Sequence, residues 1–247
     1  QIGHQLLNLG GNVVDSAVAI QLTLGLVEPQ SSGLGGGIFI TYYDYNSKQT
    51  YFYDGREKAP MNIKKDIFLN KDKNPKKFYD AAIGGKSVGV PGTLDALYKI
   101  HNEYGNLKWA EVIEPVLKLS KEGFYPSPRL ITSLEKEKFL FKVEPNSIYL
   151  KALKKPENKF FNDQYTSTLK LISKNYRSFY DGKIARDIVK KVSQSKESNS
   201  LSISDLESFY SQKKKAFCSK LQKMTICGPA LPSSGTISIT QILKLID

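Results

Sequence analysis

The feature that most constrains this chain lies in residues 28–60, EPQSSGLGGGIFITYYDYNSKQTYFYDGREKAP. Glycine occupies positions 33, 35, 36 and 37, so the backbone there can take positive φ or pack closely where a side chain would obstruct it. Residues 39–43 and 50–53 are rich in β-branched and aromatic side chains, with the turn formers Asp44, Asn46 and Ser47 between them, which predicts a hairpin. The glycine run leads into a strand and no helix, so it does not read as a phosphate or dinucleotide loop. Past the second strand come Asp54, Gly55, Arg56, Glu57, Lys58, Ala59 and Pro60. An arginine between a glycine and a nearby proline sits on a fixed backbone with its guanidinium free to reach outward. That planar fork suits a bidentate carboxylate contact.

The rest of the chain reads as helices with a few strands near each end. A buried helix is expected from about Asn12, a cap, with Asp15 in its first turn, to Val27 before Pro29. Residues 62–82 form a long, lysine-rich connection with one helical turn. Gly84 and Gly85 introduce an extended segment over 87–92, and a helix then runs to Tyr104-Gly105. Further helices are predicted over 109–122, with a kink or late start at Pro115, and over 129–141, 162–173 and 182–192. Residues 193–202, SQSKESNSLS, are the best candidate for a mobile loop. One short helix begins at Ser204. The alternation over 214–226 predicts two strands, and a last helix ends near Leu245, with the chain stopping at Ile246-Asp247. Strands this few leave backbone groups to satisfy, so the sheet is expected to be completed by another chain or segment.

Composition sets limits on function. The 247 residues carry a formal charge of +12 and 40% hydrophobic residues, enough for a substantial core. The lysines are scattered and lack the aromatic pattern of an RNA-binding sheet, so the charge is read as a solvated basic surface and no nucleic-acid partner is assigned. No apolar run is long enough to span a membrane. Cys218 and Cys227 flank 221–226 and could face each other across two short strands. Two cysteines make no disulfide scaffold or zinc motif, and the favoured reading is buried free thiols. His4 and His101, the two histidines, are read as ordinary helix-surface residues, and no metal or cofactor is expected. The chain opens without methionine inside a helix pattern, which reads as a partial chain and leaves open an export signal removed earlier.

Several of these segments together resemble the large subunit of γ-glutamyltransferases. Residues 10–19, GGNVVDSAVA, are similar to that family's GGNAVDAAVA helix. Residues 28–37, EPQSSGLGGG, are similar to its EPHSSGIGGG loop, with Gln30 where histidine is usual, and DGREKAP at 54–60 resembles its DGRExAP turn. The resemblance continues at SVGVPG (87–92), FYDG (179–182) and PSSG (232–235), six motifs in order over nearly the whole chain. Departures fall at Gln30, at Leu231 and Thr236, and at Asn199-Ser200, where a glycine pair is frequent.

The resemblance implies an α+β fold, the helix-rich large-subunit part of an αββα N-terminal nucleophile hydrolase sandwich, as a single domain over 1–247. It implies cleavage of the γ-glutamyl amide of glutathione and related compounds, with the acyl group passed to water or amino acids. The nucleophile would be an N-terminal threonine of a small subunit cut from the same precursor, its α-amino group acting as base. No Thr-Thr-His-like stretch occurs, so no catalytic residue is assigned in this chain. Arg56 matches the arginine that binds the α-carboxylate of the γ-glutamyl group; the alternative is a structural salt bridge with Glu57 or Asp54. Glu28, Ser31, Ser32, Gly35 and Gly36 either line the pocket or serve close packing. Ser233 and Ser234 are taken as structural, at a helix start. The remaining alternatives are a related cephalosporin or glutaryl acylase and an inactive truncated remnant. Periplasmic or extracellular placement also follows from the resemblance.

Overall fold

The computed structural model describes residues 1–195, 197–222 and 224–246. In chain order the elements are α1 (Ile2–Asn8), α2 (Val13–Val27), β1 (Ile38–Asp44), β2 (Gln49–Gly55), α3 (Phe78–Ala82), α4 (Thr93–Tyr104) and α5 (Trp109–Glu122). They continue with α6 (Pro128–Lys136), α7 (Lys138–Val143), α8 (Tyr149–Lys154), α9 (Asp163–Lys174), α10 (Ser178–Asp181), α11 (Lys183–Ser193) and α12 (Ile203–Glu207). The last are β3 (Gln212–Lys215), β4 (Phe217–Leu221), β5 (Met224–Gly228) and α13 (Gly235–Ile246). The fold is α+β and helix-rich. It divides into two compact units, one of Gln1–Leu34 with Ile100–Gln194, the other of Gly35–Lys99 with Ser195–Asp247.

The first unit is helical, and the start of α2 shows why. The Asn12 side chain accepts hydrogen bonds from the Val14 and Asp15 amides (2.9 and 3.2 Å), and the Asp15 carboxylate in turn accepts one from the Asn12 amide at 2.7 Å. This reciprocal cap supplies partners for amides the helix leaves orphaned, an effect of about 1 kcal/mol. Asp15 is fully buried and also receives the Asn106 amide at 3.0 Å. His101 Nε2 lies 3.3 Å from Asp15 and 3.1 Å from the Leu107 carbonyl. His101 is therefore only 7% exposed, which corrects its expected place on a helix surface. Both atoms facing Nε2 are acceptors, so Nε2 carries the hydrogen. Burial lowers the His101 pKa below its usual value, and the Asp15 charge only partly offsets this.

Around that anchor, α5 packs against α2 and α9, and Trp109 Nε1 donates to the Ile172 carbonyl at 2.8 Å. Helix α5 starts at Trp109 and continues through Pro115, so the late start does not occur. The helix expected over 129–141 is two helices, because Glu137 leaves helical geometry at ψ 45°. Helix α8, left unassigned in the sequence, is built of good helix formers, Leu150, Lys151, Ala152, Leu153 and Lys154. Its Ala152 is buried with Leu130, Leu134, Phe124 and Phe160, so local preference and packing agree there.

The second unit holds the strands. β1, β2 and β3 form an antiparallel sheet in that order, with Ile40 opposite Tyr53 and Tyr53 opposite Lys213. Phe52 and Tyr53 are fully buried, one on each face of β2, in the same unit as buried Leu94, Ala96, Leu206 and Phe209. The two strands expected over 214–226 are resolved differently: β3 joins the hairpin, while β4 and β5 pair in a separate two-stranded sheet. There Cys218 sits directly opposite Cys227, with Cα atoms 4.1 Å apart, and the two form a disulfide. The expectation of buried free thiols is thus overturned: Cys218 is exposed and bonded. Closing so short a loop stabilises by roughly 2.5 kcal/mol in the chain-entropy picture.

The serine-rich segment over 193–202 is tied down at several points; its Lys196 lies outside the described residues, as does the terminal Asp247. Ser195 Oγ accepts the Gly85 amide at 2.8 Å, and Asn199 Nδ2 donates to the Val88 carbonyl at 2.6 Å. Glu197 receives both Lys76 and Lys86, and those two bonds hold its pKa down to about 2. Asp205 caps α12 through Ser202 and accepts the Met61 amide at 2.9 Å.

Candidate functional site

The turn after β2 is built from backbone packing. Gly55 ends the strand, and a Cβ on Gly92 would collide with the Gly55 carbonyl and with Phe209. The Gly92 amide donates to the Gly36 carbonyl at 2.9 Å, and the Thr93 amide donates to the same oxygen at 3.1 Å. Lys58 and Val90 exchange both backbone hydrogen bonds, at 3.3 and 2.8 Å. A Cβ on Gly37 would stand 2.8 Å from the Glu57 nitrogen, and one on Gly89 would stand 3.1 Å from the Lys58 carbonyl oxygen. Glycine at 37 and 92 is therefore a steric requirement of the turn, and Gly89 is a tight approach that a small shift could relieve. Gly33 and Gly35 face open space, and no glycine of the 33–37 run has positive φ, so that run works through the close approach at Gly37.

Arg56 rides on this clamped backbone with its side chain exposed. Its amide donates to Asp54 Oδ1 at 3.2 Å. The other oxygen of Asp54 accepts Lys214 Nζ from β3 at 2.6 Å. Among the described residues the Arg56 guanidinium has no ion-pair partner: the Asp54 carboxylate is taken by Lys214, and the carboxylate of the adjacent Glu57 lies against Gly37. A fork of donors carried on a fixed backbone, with Asp54 already engaged by Lys214, can receive a ligand carboxylate. Gly35 and Gly36 belong to this unit, with Gly36 contributing its carbonyl.

Glu28, Ser31 and Ser32 belong to the first unit, where each finds a partner. Glu28 Oε1 accepts Ser127 Oγ at 2.8 Å, while Ser127 caps α6 by accepting the Leu130 amide at 3.0 Å. Glu28 Oε2 accepts Gln30 Nε2 at 2.6 Å and has the Arg129 guanidinium 3.8 Å away. Arg129 also donates to Ser31 Oγ at 3.2 Å, and Ser32 Oγ accepts Gln21 Nε2 at 2.6 Å. Ser233 and Ser234 precede α13, where the Ser238 amide donates to the Ser234 carbonyl.

Lys214 and Ser127 escaped the sequence reading. Lys214 is one of three successive lysines, 213–215, and only the β2–β3 register singles it out. Ser127 carried one available signal, a serine just before Pro128 at the start of a helix. Among the described residues no cluster of three or more His, Cys, Asp or Glu is disposed to hold a metal, and no helix is long and apolar enough to cross a membrane.

This α+β arrangement is the large-subunit part of an N-terminal nucleophile hydrolase fold. The solved gamma-glutamyltranspeptidase of Pseudomonas nitroreducens, in complex with L-DON, matches it with a TM-score of 0.90 at 29% identity, over 98% of this chain and 71% of that one. The family profile described as Gamma-glutamyltranspeptidase matches residues 1–247, and the chain belongs to that family. It is 33% identical over 252 residues to the glutathione hydrolase proenzyme of Bacillus subtilis (strain 168), covering 100% of this chain and 42% of that protein. It is 31% identical over 253 residues to glutathione hydrolase 3 of Arabidopsis thaliana, covering 100% of this chain and 38% of that protein. The chain thus spans about two fifths of the length of these curated relatives.

Proposed function

We propose that residues 1–247 act as one large-subunit domain of a γ-glutamyltransferase/glutathione hydrolase. The enzyme would cleave the γ-glutamyl amide of glutathione and related compounds and pass the acyl group to water or amino acids. Two relatives named glutathione hydrolase, one of them a proenzyme, support this reading. In it, a precursor cuts itself, and a small subunit supplies the threonine whose hydroxyl attacks the γ-carbonyl. This chain's contribution is Arg56. Its guanidinium would hold the donor's α-carboxylate through a charge-assisted pair of hydrogen bonds and so fix the register of the γ-amide at the nucleophile. The observation that carries the assignment is a guanidinium with no ion-pair partner among the described residues, on a backbone clamped between glycines. Glu28, Ser31 and Ser32 are assigned a structural role, their polar atoms being engaged within their own unit.

Periplasmic or extracellular placement is part of the same proposal, supported by the Cys218–Cys227 disulfide, which persists in oxidising compartments. The test is kinetic, on the full-length protein. Arg56→Lys and Arg56→Gln should raise KM for a γ-glutamyl anilide strongly, by roughly a hundredfold for Gln, and leave a donor lacking the α-carboxylate nearly unchanged. Equal losses on both donors would remove Arg56 from the binding site.

A further inference from the structure

We propose that Lys214 is a positioning residue for Arg56, acting through Asp54; this inference rests on the proposed role of Arg56 as the carboxylate receptor. In the sheet, Phe52 lies opposite Lys214 and Asp54 opposite Gln212. Side chains alternate along a strand, so residues 52, 54, 212 and 214 share one face, and Lys214 reaches diagonally to Asp54. Its stem runs by the Phe52 ring, with Nζ 5.7 Å from the ring centroid, and the ammonium meets Asp54 Oδ2 at 2.6 Å. The Asp54 side chain is only 15% exposed, so its carboxylate has little water to turn to.

Two anions stand close to Arg56 in sequence: Glu57, whose carboxylate lies against Gly37, and Asp54, two residues back, which can compete with a ligand for the guanidinium. Lys214 prevents that competition in two ways. It neutralises the carboxylate, and it holds the side chain turned so that Oδ1 accepts the Arg56 backbone amide. Charge-assisted contacts of this kind are directional, so the aspartate cannot serve Lys214, the turn and the Arg56 guanidinium together. With Lys214 removed, Asp54 is released to close onto Arg56, and the donor carboxylate must displace it. The fork stays open because a neighbouring strand keeps its own aspartate away.

The experiment compares Lys214→Met, Lys214→Arg and the double variant Lys214→Met/Asp54→Asn in the full-length processed protein, with Arg56→Gln in parallel. Each is assayed on a γ-glutamyl anilide and on a donor lacking the α-carboxylate. Lys214→Met is expected to raise KM for the carboxylate-bearing donor roughly tenfold, with kcat within about twofold and the other donor unaffected. Lys214→Arg should keep near-normal KM, since it restores the cation. The double variant should recover most of the loss, because asparagine still accepts the Arg56 amide and no longer competes as an anion. If Lys214→Met does not accumulate as processed protein, Lys214→Gln gives the same readout.

A Lys214→Met loss shared equally by both donors, or no loss at all, overturns the inference. So does a double variant no better than the single one. Arg56→Gln separates the two levels. If it discriminates between donors while Lys214→Met does not, only the Lys214 role falls. If Arg56→Gln itself fails to discriminate, both assignments fall.

Discussion

The loop after α2 and the turn after β2 are both polar stretches leaving a regular element, and they treat their charged groups in opposite ways. In the first, Glu28 is surrounded by donors from Ser127, Gln30 and Arg129, and Arg129 in turn engages Ser31. In the second, the backbone is gripped by Gly37, Gly89 and Gly92 and by the Lys58–Val90 pairing, while the Arg56 guanidinium points out with no ion partner among the described residues. A charge whose partners lie within its own unit contributes to stability. A charge left open on a rigid support contributes little to folding and stays available to a ligand.

The comparison breaks first at the glycines. Gly92→Ala places a Cβ on the Gly55 carbonyl and against the Phe209 ring, with backbone on one side and a buried aromatic on the other. Neither can yield cheaply, so a loss of about 3 kcal/mol is expected, read as a lower unfolding midpoint in denaturant. An unchanged midpoint would mean that the turn is not clamped and that Arg56 has no rigid platform. Glu28→Ala comes next. It strips Ser127 and Gln30 of their acceptor in a partly exposed site and should cost about 1–2 kcal/mol. A neutral Glu28→Ala would erase the contrast from the other side.

A smaller effect concerns pH. His101 is held neutral by burial, so its folded pKa lies below its unfolded value of about 6.5. The unfolded chain then binds more protons than the folded one as pH drops beneath that value. The stability contributed by the neutral imidazole is therefore complete above about pH 6.5 and is lost as pH falls through the lowered folded pKa. The slope from one proton is at most about 1.4 kcal/mol per pH unit. Thermal midpoints measured between pH 8 and 5 should bend downward on the acid side, and His101→Gln should flatten that bend. The same bend in both proteins would assign it to other groups.

How much of this was written in the sequence depends on how local each feature is. The cap formed by Asn12 and Asp15 and the hairpin around Asp44–Ser47 are settled within a few residues, and so is the placement of Arg56 just past a strand; all three were legible. His101 was misread because its partner Asp15 lies 86 positions away in sequence, and only the fold brings imidazole and carboxylate together. The cysteines were misread for a related reason. Their facing positions were visible as a possibility, but only the β4–β5 register puts 218 directly opposite 227. β3 was folded into the wrong pair of strands because three successive lysines carry no alternation to mark a face, and it is pairing with β2 that selects Lys214. Non-local partners, where register or burial decides, were what a single sequence hid.

The smallest expected effect sharpens the comparison most. Arg56→Gln removes a full charge from an exposed side chain whose guanidinium touches no anion among the described residues. The backbone amide that binds Asp54 is retained, so the turn keeps its internal hydrogen bond. The folding free energy should therefore shift by no more than about 0.5 kcal/mol, in contrast to Glu28→Ala. A destabilisation of 1 kcal/mol or more, measured by denaturant unfolding, would mean that Arg56 is a structural ion-pair residue after all. A silent unfolding curve joined to a large, donor-selective rise in KM would instead show a charge kept only for its ligand. If Arg56 binds the donor as proposed, stability and binding should separate at this residue, because the glycines, and not the arginine, hold the turn in place.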